Sequence, residues 1–403
     1  MNKPQLELAD VVRRFVGPYK EQFGHLMLPS HHRALQDIAG CMTEAMGGGR
    51  YHCHDCSETF WSYHGCRNRS CPKCHGRQIV DWLKCRSAEI LPCRYFHLVA
   101  TVPSELRRLF LRHQKTLYGL LMKTAADAVR DLAAEKRYVG AEVGILAVLH
   151  TWTGRLHHHP HVHMLVTGGG VTDDGTAWHD APNEFLVPVK RLSPMIARRF
   201  AEALQKGHPD LFKQIPAKVW NREWCSYCKP YGTGKDAVLQ YLARYVFRIA
   251  ITNHRLISMD ESHVTLQYKD HDTGQWKTER VEGVQFLRRF LFHVLPKGLH
   301  KVRYYGLWHP CKKDRQAQAR LLLKLTTAPV ADNDVPLVGD LAAEALGQSS
   351  LESHDHRVKC PKCGGTNVLL FEKIRRGKAD MVTWPTGGSE DSPLRSPLNP
   401  SET

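Results

Sequence analysis

The chain has 403 residues, of which 42% are hydrophobic, enough for about two or three globular domains. Its 56 lysines and arginines outnumber its 40 aspartates and glutamates, and the formal net charge of +16 favours polyanionic partners such as nucleic acid over a merely basic surface. The sequence contains no run of about 18 apolar residues, no signal-peptide pattern and no lipidation motif. We therefore expect a cytoplasmic protein without membrane contact.

The first half of the chain alternates between helical and strand-like patterns. Apolar residues at helical spacing predict helices within residues 4–46, and a cysteine-rich unit follows at 51–76. Residues 95–103 form a β-rich run that ends at a proline. Two apolar runs, 143–152 and 161–170, are joined by a short polar loop and predict an antiparallel pair of strands.

The second half predicts mixed elements and an unstructured end. A strand is expected at 185–189, and residues 224–251 predict a strand, a glycine-rich turn and a helix. A polar hairpin is expected at 262–281 and a basic helix at 284–296. The tail from about Gly377 is rich in serine, proline and glycine, and it is predicted to be disordered.

Thirteen cysteines occur in clusters, which in a chain without an export signal indicates metal ligation rather than disulfides. Cys53 and Cys56 form one C-x2-C pair, and Cys71 and Cys74 form a second. Two such pairs can hold one structural Zn²⁺ through four thiolates, with no open coordination position for catalysis. Cys66 lies between the pairs and is an alternative ligand.

Cys360 and Cys363 form another C-x2-C pair, a candidate for a second zinc site. No further cysteine pair follows them, so His354 and His356 are the candidates to complete that site. Cys225 and Cys228 also have this spacing, but they lie in a predicted strand. Residues three apart on a strand point to opposite faces, which favours ordinary packing.

His161 and His163 lie at the entrance to an apolar strand. Side chains two residues apart on a strand point to the same face, so both imidazoles can reach one ion while Val162 faces the core. Ordinary packing of an apolar core does not require histidine at either position. The spacing therefore predicts a metal site, with a chance pair among 25 histidines as the alternative.

Tyr241 and Tyr245 are four residues apart on a predicted helix. They would share one helix face, about 6 Å apart along the axis. Aromatic core packing is the alternative, but the helix has a separate apolar stripe, and Arg244 and Arg248 flank the tyrosines. Two hydroxyls beside arginines favour phosphate chemistry.

In combination and in this order, the motifs resemble those of the HUH-class rolling-circle transposases of bacterial insertion sequences, in the two-tyrosine branch to which the ISCR elements are related. The resemblance covers most of the chain, although not the tail after Gly377. Beyond the helical N-terminus, it rests on the segments 66-CRNRSCPKC-74, 95-YFHLVATVP-103, 149-LHTW-152, 159-HPHVHMLVTGGG-170, 237-AVLQYLARYVFRIAITNHRL-256 and 287-LRRFLFHVLPKGLHKVRYYG-306.

The resemblance implies an α+β fold. A helical N-terminal domain with a zinc knuckle would be followed by an HUH endonuclease domain, in which helices flank a central antiparallel sheet. The expected divisions are residues 1–92, which include the zinc unit at 51–76, then 93–310, 311–376 with the candidate second zinc knuckle, and the disordered tail 377–403.

The resemblance also implies a mechanism. His161 and His163 would hold Mg²⁺ or Mn²⁺ against a scissile phosphate of single-stranded DNA. Tyr241 or Tyr245 would attack that phosphate, forming a 5′-phosphotyrosine bond and freeing a 3′-hydroxyl. The substrates would be single-stranded transposon ends and target DNA in a bacterial cytoplasm, where the bound protein would associate with the nucleoid.

A third ligand for the catalytic ion is not specified by the motif. We expect His150, because pairing of 143–152 with 161–170 about a centre near 156–157 would place it opposite His163 on the same face. Gln240 is the second candidate.

Basic residues near both sites are candidates for DNA contact: Arg67, Arg69, Lys73, Arg77, Arg244 and Arg248. Three other functions fit parts of the pattern. A zinc-finger regulator would not need the histidine and tyrosine pairs. A plasmid replication initiator or relaxase would use the same chemistry, and the N-terminal zinc unit and missing P-loop favour a transposase over it. A zinc hydrolase would not need the tyrosines.

Overall fold

The computed structural model describes residues 5–74, 90–182, 184–246, 248–270, 272–326 and 358–377. The α-helices are α1 (Leu8–Phe23), α2 (Pro29–Ala39), α3 (Arg107–Arg112), α4 (Gln114–Ala134), α5 (Val189–Gly207), α6 (Pro209–Lys213), α7 (Gly234–Tyr241), α8 (Gly283–Leu291) and α9 (Lys313–Thr326). The strands are β1 (Gly48–Cys53), β2 (Thr59–Tyr63), β3 (Arg94–Thr101), β4 (Glu142–Trp152), β5 (His158–Val171), β6 (Trp178–Asp180), β7 (Cys225–Thr233), β8 (Leu256–Met259), β9 (His263–Lys269), β10 (Trp276–Glu282), β11 (Val302–Gly306) and β12 (Val368–Ile374). The predicted disordered tail after Gly377 lies outside the described residues.

The central sheet is antiparallel, with strand order β11-β4-β5-β3-β7 and with β6 paired to β5. Alternate residues of its strands face opposite sides. Leu98, Leu149 and Val162 are buried in a core shared with α4 and α5. The residues that alternate with these along β3, β4 and β5 are on the other face of the sheet, which packs against α7 and α9. The α+β architecture is therefore the expected one, and Val162 faces the core as predicted.

The pairing of β4 with β5 differs by two residues from the prediction, so the same side chains still share a face. His150 lies opposite His161, and Val148 lies opposite His163. The turn sets this register. Leu156, within the turn, has a positive φ of 62° and is fully buried in the core beneath, and the centre of the hairpin lies one residue closer to the N-terminus than predicted.

Most other predicted elements are present, and one is wrong. The strand expected at 185–189 is a loop, because Pro188 has no N–H for a sheet and α5 begins at the next residue. Leu186 and Val187 are nevertheless buried, which explains their apolar pattern. The hairpin predicted at 262–281 is β9 and β10. No described helix is long and apolar enough to span a membrane.

The N-terminal unit combines α1 and α2 with a small antiparallel sheet of order β12-β1-β2. The third strand comes from the far end of the chain, in the region that the sequence assigned to a separate C-terminal division. The α1 and α2 helices also share a buried apolar cluster with β8, β9 and α8. The domain boundaries stay predictions, but apolar packing crosses the one expected at residue 92.

A buried imidazole beneath the sheet predicts a pH dependence of stability. His293 is only 6% exposed; its Nδ1 pairs with the Thr151 hydroxyl at 3.1 Å and its Nε2 with the Leu156 carbonyl at 3.0 Å. Burial lowers the pKa of His293 to about 4. The unfolded chain takes up this proton near pH 6.5 and the folded chain does not, so stability is lost as the pH falls from about 6.5 toward 4.

Protonation of His293 in the unfolded chain alone should lower the free energy of unfolding at pH 5 by about 2 kcal/mol. Urea unfolding at pH 7 and pH 5 should show that wild-type protein loses about that much more stability than His293→Gln protein. An equal loss in the two proteins would contradict the assignment.

Candidate active site

Two neighbouring strands bring three histidines together on the sheet face opposite the main core. His150 comes from β4, and His161 and His163 come from β5. One ring nitrogen of each lies within 4.8 Å of the others. The ring centroids of His150 and His163 are 4.6 Å apart, and those of His161 and His163 are 4.8 Å apart. His150 thus joins the pair despite the shifted register, whereas the Gln240 side chain is exposed on α7.

Hydrogen bonds to backbone carbonyls orient two of the three rings. His161 Nδ1 lies 2.7 Å from the carbonyl oxygen of His159, and His150 Nε2 lies 2.6 Å from that of Tyr245. A ring nitrogen facing a carbonyl must carry the proton, so the other nitrogen of each ring presents a lone pair. This is the usual second-shell arrangement of metal-binding histidines.

His97 on β3 is a fourth histidine of this site, and the sequence reasoning missed it. Its Nε2 lies 2.9 Å from His163 Nδ1, and its Nδ1 lies 3.0 Å from the Tyr227 hydroxyl on β7. Its position was detectable: His97 alternates with Tyr95 and Val99 in an otherwise apolar run, on the strand that pairs with the histidine strand β5.

Burial keeps these imidazoles neutral at physiological pH. It lowers the pKa of His161 and of His97 to about 4. The pKa values of His150 and His163 are lowered well below the ordinary value by the same cause, with neighbouring histidines adding to the effect. Neutral imidazoles with free lone pairs are the form that binds a divalent cation.

The tyrosine pair lies over this histidine group. The Tyr245 ring centroid is 4.4 Å from that of His163 and 4.6 Å from that of His97. The Tyr241 ring packs 4.8 Å from Tyr245 and 5.3 Å from His97. Tyr241 is fully buried, and its hydroxyl has no hydrogen-bond partner among the described residues, whereas Tyr245 is half-buried.

The backbone that carries the tyrosines differs from the predicted continuous helix. The α7 helix ends at Tyr241, and residues Leu242–Val246 form a π-helical turn. Single π turns often mark functional sites. Here the turn ends the helix at the point where the Tyr245 carbonyl accepts a hydrogen bond from His150, so a candidate metal ligand holds the backbone of a candidate nucleophile.

The cysteines form two groups of four, and the predicted grouping is wrong. Cys71 and Cys74 lie with Cys41 and Cys66, whereas Cys53 and Cys56 lie with Cys360 and Cys363. The β1–β2 hairpin explains why the two C-x2-C pairs lie apart. Cys53 is at the end of β1 next to the turn, whereas the chain after β2 leaves the hairpin beside the first residue of β1. Six residues of strand separate the two ends by about 17 Å.

The group in the N-terminal unit has zinc-site geometry. Its sulfur–sulfur distances include 3.5 Å between Cys41 and Cys74, 3.6 Å between Cys41 and Cys71, and 3.7 Å between Cys66 and Cys74. A tetrahedral site with Zn–S bonds of about 2.3 Å requires about 3.8 Å. Cys66, the alternative ligand, is thus a member of this group, and Cys41, two residues after the end of α2, was missed.

The basic residues proposed for DNA contact divide into two sets. The Arg69 guanidinium donates to the carbonyls of Leu295, Pro296 and Leu299, and Lys73 pairs with Glu7 at 2.6 Å. These contacts within the protein argue against phosphate binding by either residue. Arg67 forms contacts within the described chain as well, and Arg77 lies outside the described residues. Arg244 and Arg248 are exposed next to the tyrosine turn.

Two family models match the chain. The model described as "Putative transposase" matches residues 144–316, which include all three histidines and both tyrosines. The model described as "Transposase zinc-binding domain" matches residues 11–102. The predicted histidine and zinc units thus fall within separate models, in the expected order.

Curated relatives agree with the family models. A protein of Sinorhizobium fredii named "Putative transposase y4qJ" is 34% identical over 384 residues, covering 91% of this chain and 95% of its own length. The "Transposase for insertion sequence element IS801" of Pseudomonas savastanoi pv. phaseolicola is 27% identical over 289 residues, covering 67% of this chain and 68% of its own. No solved structure shows a significant match. The chain belongs to the HUH-type insertion-sequence transposases with an N-terminal zinc-binding domain, the IS91 type.

Proposed function

We propose that this transposase nicks and rejoins single-stranded DNA at insertion-sequence ends through a phosphotyrosine intermediate. The observation that carries the proposal is the position of Tyr245, whose ring lies 4.4 Å from that of His163 while its carbonyl accepts a hydrogen bond from His150. The candidate nucleophile is therefore in direct contact with the candidate metal-binding group.

The donor set of His150, His161 and His163 fits a divalent cation, because three neutral ring nitrogens converge within 4.8 Å. Of the two ions expected from the sequence, Mn²⁺ is the better match, since imidazole nitrogen is a softer ligand than the carboxylate and water oxygens that suit Mg²⁺. When bound, such an ion supplies Lewis-acid polarisation of a phosphoryl oxygen.

If His163 bound the ion through Nε2, its Nδ1 would carry the proton, and this would fix the donor and the acceptor in each of the hydrogen bonds that follow. His163 Nδ1–H then donates to His97 Nε2, and His97 Nδ1–H donates to the Tyr227 oxygen. Burial and the neighbouring Tyr245 raise the pKa of Tyr227 to about 12, so its hydroxyl stays protonated. Its proton is then free to point at the Tyr245 oxygen, where it would stabilise the negative charge that develops as that oxygen attacks.

We propose Tyr245 as the first nucleophile, because it is the less buried of the pair and the closer to the histidines. Its oxygen would form a bond to phosphorus while the bond to the 3′ oxygen breaks. The tyrosine proton is lost, and the departing 3′ oxygen takes up a proton. One phosphodiester replaces another, so the reverse reaction rejoins DNA without ATP.

Tyr241 would serve the second cleavage or strand transfer. It is buried with an unpartnered hydroxyl, and burial raises its pKa well above the ordinary value. It must therefore become more exposed before it can attack. The π turn that separates it from Tyr245 is the nearest place for such a rearrangement. Arg244 and Arg248, exposed beside the pair, suit contact with DNA phosphates.

The proposal is tested by strand cleavage with oligonucleotides of the element ends. Single-stranded substrate with Mn²⁺ should yield a covalent protein–DNA adduct and a fragment ending in a free 3′-hydroxyl. EDTA should prevent both, and the fully paired duplex should react at least about 100-fold more slowly, because its phosphates are held in a double helix that the tyrosine turn would have to open.

Cleavage to a free 5′-phosphate without an adduct would indicate hydrolysis and contradict the proposal. Binding of element ends without any cleavage would favour a regulator. Cleavage of a plasmid origin but not of element ends would favour a replication initiator or relaxase.

A further inference from the structure

The second cysteine group joins parts of the chain that are about 300 residues apart. Cys53 ends β1 and Cys56 lies in the turn that follows, whereas Cys360 and Cys363 precede β12. The Cys53 and Cys363 sulfurs are 3.6 Å apart, and those of Cys56 and Cys360 are 3.5 Å apart. These distances are far longer than a disulfide bond of about 2.05 Å and close to the edge of a tetrahedral zinc site.

Both pairs have the backbone of a zinc knuckle. At the C-terminal pair, the N–H of Gly364 donates to the Cys360 carbonyl at 2.9 Å, and the N–H of Gly365 points at the Cys363 sulfur at 3.4 Å. The φ of Gly364 is +74°, a conformation that suits glycine. At the N-terminal pair, the N–H of Ser57 donates to the Cys53 carbonyl at 2.9 Å. N–H groups aimed at sulfur stabilise thiolates that bind metal.

The segment that carries Cys360 and Cys363 has little apolar burial to hold it. Within residues 358–377 only Cys360 is buried, and Leu369 and Phe371 on β12 are 55% and 51% exposed. The segment is also attached by strand pairing with β1, by hydrogen bonds of Asn367 with His54 and Asp55, and by ion pairs of Lys362 with Glu58, of Glu372 with Arg50 and of Arg376 with Asp37. Ion pairs between exposed side chains, such as Lys362–Glu58 and Glu372–Arg50, contribute little stability, so the four-cysteine group is the strongest candidate for the main attachment.

We propose that Cys53, Cys56, Cys360 and Cys363 bind a second Zn²⁺ ion, which fastens residues 358–377 to the N-terminal unit. The matched zinc-binding model ends at residue 102 and so contains only half of this ligand set. A chain truncated before Cys360 would leave Cys53 and Cys56 as an incomplete site. The proposal does not depend on the tyrosine chemistry.

The test is the zinc content of full-length protein purified under reducing conditions, measured by inductively coupled plasma mass spectrometry. Cys360→Ser/Cys363→Ser protein should contain one zinc ion fewer per chain than wild-type protein. Cys311→Ser is the matched control, because Cys311 is an exposed cysteine outside both groups, and its zinc content should equal that of the wild type. Zinc bound by the histidines is common to all three proteins and cancels in the difference.

Hydrogen exchange gives a second readout. The double variant should lose protection at β12 and at the edge of β1 that pairs with it, while β4 and β5 keep theirs. Cys363→His, which retains a ligand, should preserve both the zinc and the protection, and it serves if the double variant is insoluble. Unchanged zinc content in the double variant, or loss of zinc without loss of protection at β12, would overturn the proposal, and neither result would bear on DNA cleavage.

Discussion

Replacing Tyr245 with phenylalanine is expected to reduce the first cleavage of single-stranded DNA more than about a thousandfold, the scale of losing a catalytic nucleophile. The ring contacts with His97 and His163 need no hydroxyl, so folding and Mn²⁺ binding should be retained. Single-turnover cleavage of a labelled oligonucleotide measures the effect, with Mn²⁺ binding followed in parallel.

Tyr241→Phe is the matched control. It removes a buried hydroxyl without a described hydrogen-bond partner, so the first cleavage should proceed while the second cleavage or strand transfer fails. The opposite pattern would reverse the order of the tyrosines. Full activity of the double variant would disprove tyrosine catalysis altogether.

Replacing His163 with alanine should reduce the cleavage of single-stranded DNA by a similar factor, but through loss of metal binding rather than loss of the nucleophile. His163 contacts both other histidines, the Tyr245 ring and His97. Its loss should weaken Mn²⁺ binding by more than about 100-fold, beyond the effect of losing a second-shell partner. Electron paramagnetic resonance of free Mn²⁺ measures the affinity, and the cleavage assay measures the consequence.

His157→Ala is the comparison for this variant, since His157 lies in the same histidine-rich stretch but is exposed. It should bind Mn²⁺ and cleave as the wild type does. If His163→Ala protein matched it in both measurements, the three histidines would not form the catalytic metal site.

The sequence predicted those parts of the site that depend on local spacing. Alternation along β5 places His161 and His163 on one face and Val162 on the other, and this follows from strand geometry alone. The tyrosines occur on a single short segment, so their proximity was also predictable. Their π-helical turn was not, because it depends on a carbonyl of that turn accepting a hydrogen bond from β4.

Features that depend on distant partners were not predictable from spacing. A C-x2-C motif identifies a pair of ligands but not its companion, and the β1–β2 hairpin separates two pairs that are close in sequence. The register of β4 and β5 depends on the burial of Leu156 in the turn. The strand pattern shows His97 as a polar residue in an apolar run, but only its contact with His163 across the sheet places it in this site.

The most direct test of the account is to locate the covalent adduct on the protein. Full-length protein would be incubated with Mn²⁺ and a single-stranded oligonucleotide of the element end, and then digested with nuclease and trypsin. Trypsin cuts after Lys235, Arg244 and Arg248, so the tyrosines fall on separate peptides, 236-DAVLQYLAR-244 and 245-YVFR-248. Mass spectrometry should find nucleotide on Tyr245 after the first cleavage. Nucleotide on a residue outside both peptides, or cleaved DNA with no modified peptide, would contradict the account.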